Sequence, residues 1–157
     1  MKKITAKITA LLVSLICILP VYANAAAAKA PIKIGAIYNL TGDQASLGGS
    51  SSRGAQLAVQ QINAAGGVLG RPLELILMDG KTQPAVITED AKKLAADKDV
   101  VAVMGLSDTD MAMAAIPAVT AAGKIFFTSG ATSPKLVKMA PGYVFMACFA
   151  DNQQASA

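Results

Sequence analysis

The chain has 157 residues, of which 14 are basic and 10 are acidic, with two cysteines and no histidine. Without histidine, neither a Ser-His-Asp nor a Cys-His catalytic device can be assembled, and a zinc site is not expected. Three of the basic residues fall within the first seven positions, and the remaining 11 nearly balance the acidic residues. Charge therefore gives no reason to expect a nucleic acid or an anionic membrane as a partner.

The first 25 residues have the pattern of a secretory signal peptide. Three early lysines precede an apolar run at 8–21 that is short for a membrane span. Small residues at Ala23 and Ala25 fit an A-x-A site, so we predict cleavage after Ala25, with cleavage after Ala23 or an uncleaved anchor as alternatives. A cleaved signal predicts a periplasmic or secreted protein that keeps only Cys148 and so has no internal disulfide.

Apolar runs alternate with helical segments along the rest of the chain. The runs are nearly continuous, which is typical of strands that are buried on both faces. Pro84 suits a first helical turn, Gly123 suits a helix stop, and Pro117 either kinks the third helix or marks its start. The predicted elements are a strand at 32–38, a helix at 54–65, a strand at 73–78, a helix at 84–96, a strand at 100–104, a helix at 111–122, a strand at 125–128, a short helix at 134–139 and a strand at 143–148.

This alternation predicts an α/β fold in which a parallel sheet carries helices on both faces and the crossovers are right-handed. In such sheets, ligands bind beyond the carboxyl ends of the strands, where the strand order reverses. The loops expected at that edge are 39–52, 79–83, 105–110 and 129–133. The first of them is rich in glycine and serine, and it is either a flexible loop or a cover over the ligand.

Hydroxyl side chains are concentrated in the loops after the third and fourth strands. Ser107 and Thr109 lie in the first of these loops, and Ser129 and Thr132 lie in the second. Short hydroxyls and backbone N–H groups at a helix start suit a carboxylate, although helix capping and turn formation are alternative roles for the polar residues here. The chain has neither the G-x-G-x-x-G nor the G-x-x-x-x-G-K-[ST] motif, so we expect no nucleotide and no other cofactor.

The sequence resembles the first lobe of periplasmic solute-binding proteins that supply branched-chain amino acids to ABC importers. The resemblance is carried by Gly54-Ala55, by INAAGGVLGRPLEL at 62–75, by VVAVMG at 100–105 and by SGATSPKL at 129–136. It implies a type I periplasmic-binding fold whose first lobe has a flavodoxin-like sheet. It also implies a small-molecule ligand, an ABC permease as the membrane partner, and no catalysis.

Members of that family are more than twice as long and have two lobes. The resemblance therefore implies a fragment, with the N-terminal lobe at 26–150 and the start of a second lobe at 151–157, where Asp151 or Asn152 looks like a helix N-cap. A single lobe offers one wall of the pocket, so we expect millimolar or weaker affinity. We also expect association through the unpaired strand at 143–148.

The resemblance also implies roles for individual residues. In relatives that bind leucine, isoleucine or valine, a hydroxyl four places after the glycine that ends strand three holds the ligand carboxylate, and that position here is Thr109. After strand four, a backbone site and a threonine hold the ammonium and carboxylate ends, and these fall on Gly130 and Thr132. Leu47 stands where an aromatic often covers the ligand side chain.

Two carboxylates depart from the family pattern. Asp108 and Asp110 flank Thr109, where relatives have small neutral residues. They oppose a ligand carboxylate unless they cap the helix, point away or meet a ligand cation, so an amide, a polyamine-like solute or another amino acid derivative stays open as the ligand. A receptor sensor domain and an enzyme on a flavodoxin-like sheet remain the alternative functions.

Overall fold

The computed structural model describes residues 29–156. The signal peptide predicted at 1–25 lies outside the described residues. The strands are β1 (Ile32–Tyr38), β2 (Leu73–Asp79), β3 (Val100–Gly105), β4 (Ile125–Thr128) and β5 (Val144–Met146). The helices are α1 (Ala45–Ala64), α2 (Pro84–Ala96), α3 (Thr109–Ala121), α4 (Lys135–Met139) and α5 (Asp151–Gln154).

The five strands form one sheet in the order β2-β1-β3-β4-β5, and every neighbouring pair is parallel. This confirms the predicted α/β class. The chain moves from β1 outward to β2 and then crosses to β3 on the other side of β1, so the strand order reverses between β1 and β3. The carboxyl ends of these two strands are therefore the edge at which a ligand crevice is expected.

One face of the sheet packs against helices α2 and α3. Ile37, Val103, Phe126 and Val144 lie on neighbouring strands and are buried in this core. Helices α2 and α3 also pack against each other, and the Thr88 hydroxyl on α2 donates a hydrogen bond to the Ala114 carbonyl on α3 at 3.1 Å.

The opposite face is covered over β1 and β2, where helix α1 packs. On β3, β4 and β5, large apolar side chains of this face are exposed, with Val101 at 56% and Phe145 at 45%. Ile125 and Phe127 continue the same surface, and β5 forms one edge of the sheet. Within residues 29–156, this half of the sheet has one covered face.

Helix α1 starts at Ala45, nine residues before the predicted Gly54, so the predicted loop over 39–52 was right for 39–44 and wrong for 45–52. The glycine and serine content that indicated a loop serves close packing instead. A Cβ atom at Gly48 would clash with the Asn39 carbonyl, so glycine lets the helix lie against the end of β1. Tertiary packing here overrides weak helix propensity.

Other boundaries also differ from the prediction. Helix α3 begins at Thr109 rather than at 111, and it continues across Pro117, which therefore does not mark its start. Strand β5 has three residues rather than six. Helix α5 has Ala150 as its N-cap in place of Asp151 or Asn152, and the Ala150 N–H donates to Gln153 Oε1 at 3.1 Å. No helix among residues 29–156 is long and apolar enough to cross a membrane.

Candidate functional site

Four hydroxyl groups from different elements form a row at the carboxyl edge of the sheet. Ser107 Oγ, after β3, lies 3.3 Å from Ser129 Oγ, after β4, and 3.4 Å from Ser51 Oγ on α1. Tyr38, the last residue of β1, lies beside Ser129 at the other end. We call these four residues the hydroxyl row. It lies where the strand order reverses.

Tyr38 anchors the row from inside the core. Its side chain is 1% exposed. Burial raises the pKa of the Tyr38 phenol, and the neighbouring Ser129 hydroxyl only partly offsets this. The phenol therefore stays protonated at neutral pH and keeps its capacity to donate a hydrogen bond into the row.

The predicted loops after β3 and β4 lie against each other. A Cβ atom at Gly130 would lie 3.2 Å from Ser107 Cβ, so the absence of a side chain at Gly130 allows the close approach. Before the first loop, Gly105 has φ +126°, and a Cβ there would clash with the Ile37 carbonyl. The chain can therefore turn sharply at the end of β3 beside β1.

The other predicted site residues occupy these same loops or their neighbours. Thr109 is the first residue of α3 and is half-buried. Thr132 is half-buried in the loop after β4, and its carbonyl accepts a hydrogen bond from Asp151 N at 2.9 Å. Leu47 is 55% exposed and lies in the first turn of α1 rather than in a loop, as a consequence of the earlier helix start.

Asp108 is the N-cap of helix α3. Its Oδ1 accepts hydrogen bonds from the backbone N–H groups of Asp110 at 3.0 Å and Met111 at 3.2 Å. Asp110 lies in the first turn and is exposed. Because Asp108 already occupies these two donors, they are not free for a second anion, and the hydroxyl side chains are the remaining side-chain donors of the two loops.

Sequence reasoning missed Tyr38 and Ser51 as members of the row. Tyr38 could have been found as the last residue of a strand at the reversal of strand order. Ser51 was hidden because the stretch around it was assigned to a loop rather than to the helix that points it toward Ser107.

Asp79, at the end of β2, clamps the loop after β1. Its carboxylate accepts hydrogen bonds from the backbone N–H groups of Leu40 at 2.9 Å, Thr41 at 3.1 Å and Lys81 at 2.9 Å, and from the Thr41 hydroxyl at 2.7 Å. Thr82 reinforces the clamp, since its Oγ1 donates to the Thr41 carbonyl at 3.0 Å. The loop that leads into α1, and so toward Ser51, is thereby fixed to the end of β2 and the loop that follows it.

The clamp makes stability depend on pH. Burial alone would raise the pKa of the Asp79 carboxyl, but the hydrogen bonds from Thr41, Lys81 and Leu40 together lower it below its ordinary value of 3.8. A lowered pKa in the folded state means that the carboxylate stabilises the fold fully above the ordinary value. This contribution disappears as the pH falls through the folded-state pKa.

We expect Asp79→Asn to lower the free energy of unfolding at pH 7 by about 1–2 kcal/mol, a hydrogen-bond figure reduced for solvent screening. This loss of stability should be fully present above the ordinary pKa of 3.8 and should shrink as the pH falls through the folded-state pKa, because the wild-type carboxylate is then protonated too. Urea unfolding at several pH values measures this. Asp43→Asn, at an exposed carboxylate in the same loop, is the control. A loss of unfolding free energy in Asp79→Asn that does not vary with pH would contradict the clamp.

Two grooves lie away from the hydroxyl row. One, of about 380 Å³, runs beside β5 between Val137 and Gln153. The other, of about 300 Å³, lies among Pro31, Lys33 and Arg71. Among residues 29–156, no cluster of His, Cys, Asp or Glu side chains could hold a metal ion.

The parallel sheet, with a row of hydroxyl groups at its strand-order reversal, defines an α/β lobe. A family model described as periplasmic binding protein matches residues 31–157, and the chain belongs to that family. The predicted resemblance is confirmed by relatives with Leu/Ile/Val-binding names. A Leu/Ile/Val-binding protein homolog 7 of Brucella suis is 36% identical over 73% of this chain and 28% of its own length. Leu/Ile/Val-binding protein BraC3 of Rhizobium johnstonii is 35% identical over 82% of this chain and 35% of its own length.

Solved structures give the same result. The substrate-binding protein LivJ of Streptococcus pneumoniae, in complex with isoleucine, superposes with a TM-score of 0.73 at 35% identity, over 77% of this chain and 34% of that one. A substrate-binding protein from Desulfitobacterium hafniense in complex with Leu has a TM-score of 0.71 at 30% identity, over 80% of this chain and 36% of that one. These homologues are solute-binding proteins of ABC transporters, not enzymes. The chain spans about a third of their length and corresponds to their N-terminal part.

Proposed function

We propose that this chain is the N-terminal lobe of an exported solute-binding protein that captures a branched-chain or related amino acid for an ABC importer. The observation that carries the proposal is the hydroxyl row at the strand-order reversal, with Thr109, Gly130 and Thr132 on the loops beside it. The family and the signal-like N-terminus support a periplasmic location, and the transporter relatives support a membrane permease as the partner.

We propose that the lobe holds the ligand by its carboxylate. The structures that resemble this chain include complexes with isoleucine, with Leu and with 3,4-dihydroxybenzoic acid, and a fatty acid transporter protein. The three bound ligands differ in size and polarity, but each has a carboxyl group, as do fatty acids. Hydroxyls and backbone N–H groups in a partly buried crevice are the donors that such a group needs.

In this proposal, Asp108 does not oppose the ligand. Its charge faces the N-terminus of α3, where two backbone N–H groups accept it as a cap. The Thr109 and Thr132 hydroxyls then hold the carboxylate, and the Gly130 backbone meets the ammonium group. The remaining part of a two-lobed protein closes over the ligand side chain, which shifts the population toward a shut form that the permease recognises.

The test is a pair of titrations with L-leucine and L-leucinamide, which has the same side chain and ammonium group but no carboxylate. We expect L-leucine to bind the 157-residue chain in the millimolar range, and L-leucinamide to bind about ten- to a hundred-fold more weakly, because charge-assisted hydrogen bonds are lost. Chemical shifts of the protein amides report both affinities. Equal affinities would show that the carboxylate is not the group that is recognised.

A further inference from the structure

We propose that Thr128 is a positioning residue that sets the spacing between the two ligand-facing loops; this inference rests on the proposed function. Thr128 is the last residue of β4 and is fully buried. It has no access to a ligand. Its effect on binding would therefore act through the backbone of the loops that hold the ligand.

The Thr128 hydroxyl bridges both loops. It donates a hydrogen bond to the Leu106 carbonyl at 2.7 Å, just before Ser107, and it accepts one from the Ala131 N–H at 3.1 Å, between Gly130 and Thr132. One oxygen atom thus links the backbone of the loop after β3 to the backbone of the loop after β4. Both partners are buried main-chain groups of Leu106 and Ala131, at 1% exposure each.

The Leu106 end of the bridge holds an unusual backbone conformation. Leu106 has φ +53°, in the left-handed region that non-glycine residues rarely adopt. Its N–H donates to the Ile37 carbonyl at 3.0 Å, while its carbonyl is held by Thr128. Both main-chain groups of Leu106 are thus fixed, which orients the following residues, Ser107 to Thr109, toward the crevice.

Removing the hydroxyl leaves two buried groups without this partner. Valine has nearly the shape of threonine, so Thr128→Val keeps the packing of β4 but leaves the Leu106 carbonyl and the Ala131 N–H unpaired unless the loops move. Movement of the loops would change the distance between the Ser107 and Ser129 side chains, now 3.3 Å apart. The expected consequence is a misplaced ligand site on an otherwise folded lobe.

The experiment compares Thr128→Val, Thr128→Ser and Thr88→Val. Thr88 is the matched control, since its hydroxyl also bonds a main-chain carbonyl of another element, but between α2 and α3. Each variant is titrated with L-leucine below its unfolding temperature, and amide hydrogen exchange is measured at Ala131. We expect Thr128→Val to weaken L-leucine binding by about tenfold or more and to speed exchange at Ala131, whereas Thr128→Ser stays within about twofold of the wild type.

A purely structural role predicts a different pattern. In that case Thr128→Val and Thr88→Val would both lower the unfolding temperature and leave L-leucine affinity unchanged, which would overturn the proposal. Unchanged exchange at Ala131 in Thr128→Val would overturn the bridge itself. If the wild type does not bind L-leucine, the proposed function fails. The exchange rate at Ala131 and the amide shifts of Ser107 and Ser129 then still decide whether Thr128 sets the loop spacing.

Discussion

Replacing Thr132 by valine is expected to weaken L-leucine binding by about ten- to a hundred-fold, equivalent to roughly 1.5–3 kcal/mol. The change keeps the side-chain volume and removes the hydroxyl that we assign to the ligand carboxylate. Thr109→Val should have an effect of the same size, because Thr109 is assigned to the same group. Amide shift titration of this chain, or calorimetry on a protein that carries both lobes, measures the loss.

Two controls make this result specific. Thr120→Val removes a hydroxyl near the other end of α3, where it bonds the Ile116 carbonyl at 2.9 Å, and should leave affinity unchanged. Asp108→Asn removes the charge but keeps a side-chain oxygen that can cap the helix. We expect unchanged affinity in Asp108→Asn, because Asp108 serves as the helix cap. Tighter binding would mean that the carboxylate opposes the ligand, and weaker binding would mean that it meets the ligand cation. Unchanged affinity in both Thr109→Val and Thr132→Val would refute the assignment of these two loops.

The second large effect concerns stability, and it has opposite signs at two glycines of helix α1. Gly48→Ala is expected to lower the free energy of unfolding by more than about 3 kcal/mol, because the added Cβ clashes with the Asn39 main chain and the helix must move away from β1. Gly54→Ala should raise it by about 0.5–1 kcal/mol, since Gly54 has open space around it and alanine is the better helix former.

Chemical denaturation of the two variants measures both changes. The same substitution in the same helix thus gives opposite signs, and the difference between the sites is the close approach at Gly48. Equal stability of Gly48→Ala and Gly54→Ala would show that α1 does not lie against the end of β1 as described.

Strand β1 and helix α2 could be predicted because their signals are local. Pro84 marks the start of α2, and the apolar run at 32–38 has the composition of a buried strand, and both predictions were confirmed in full. The start of α1 could not be predicted in this way. Nothing in the sequence around Gly48 shows that a main-chain carbonyl 9 residues away requires the missing side chain.

The candidate site was likewise predictable only in part. The loops after β3 and β4 could be located because the fold class fixes which strand ends meet. The partners across the crevice could not, because the pairing of Ser51 with Ser107 depends on where α1 starts, and the hydrogen bond from Thr128 to Leu106 joins residues 22 positions apart. Such contacts are set by three-dimensional packing rather than by spacing along the chain.

The lobe described here has a polar crevice at one edge and an exposed apolar surface on β3, β4 and β5. Val101, Ile125, Phe127 and Phe145 contribute to this surface. In a protein about three times as long, as the relatives are, there is ample additional chain to bury such a surface. In solution, the 157-residue chain is expected to associate through it.

The central claim is that the crevice at the strand-order reversal holds a carboxylate. The most direct test records the amide spectrum of the chain, residue by residue, during titration with L-leucine and with L-leucinamide. The proposed site predicts saturable shifts at Ser107, Thr109, Gly130 and Thr132 with L-leucine, and much smaller shifts with L-leucinamide. Shifts confined to the groove between Val137 and Gln153, or to the groove at Lys33 and Arg71, would contradict it.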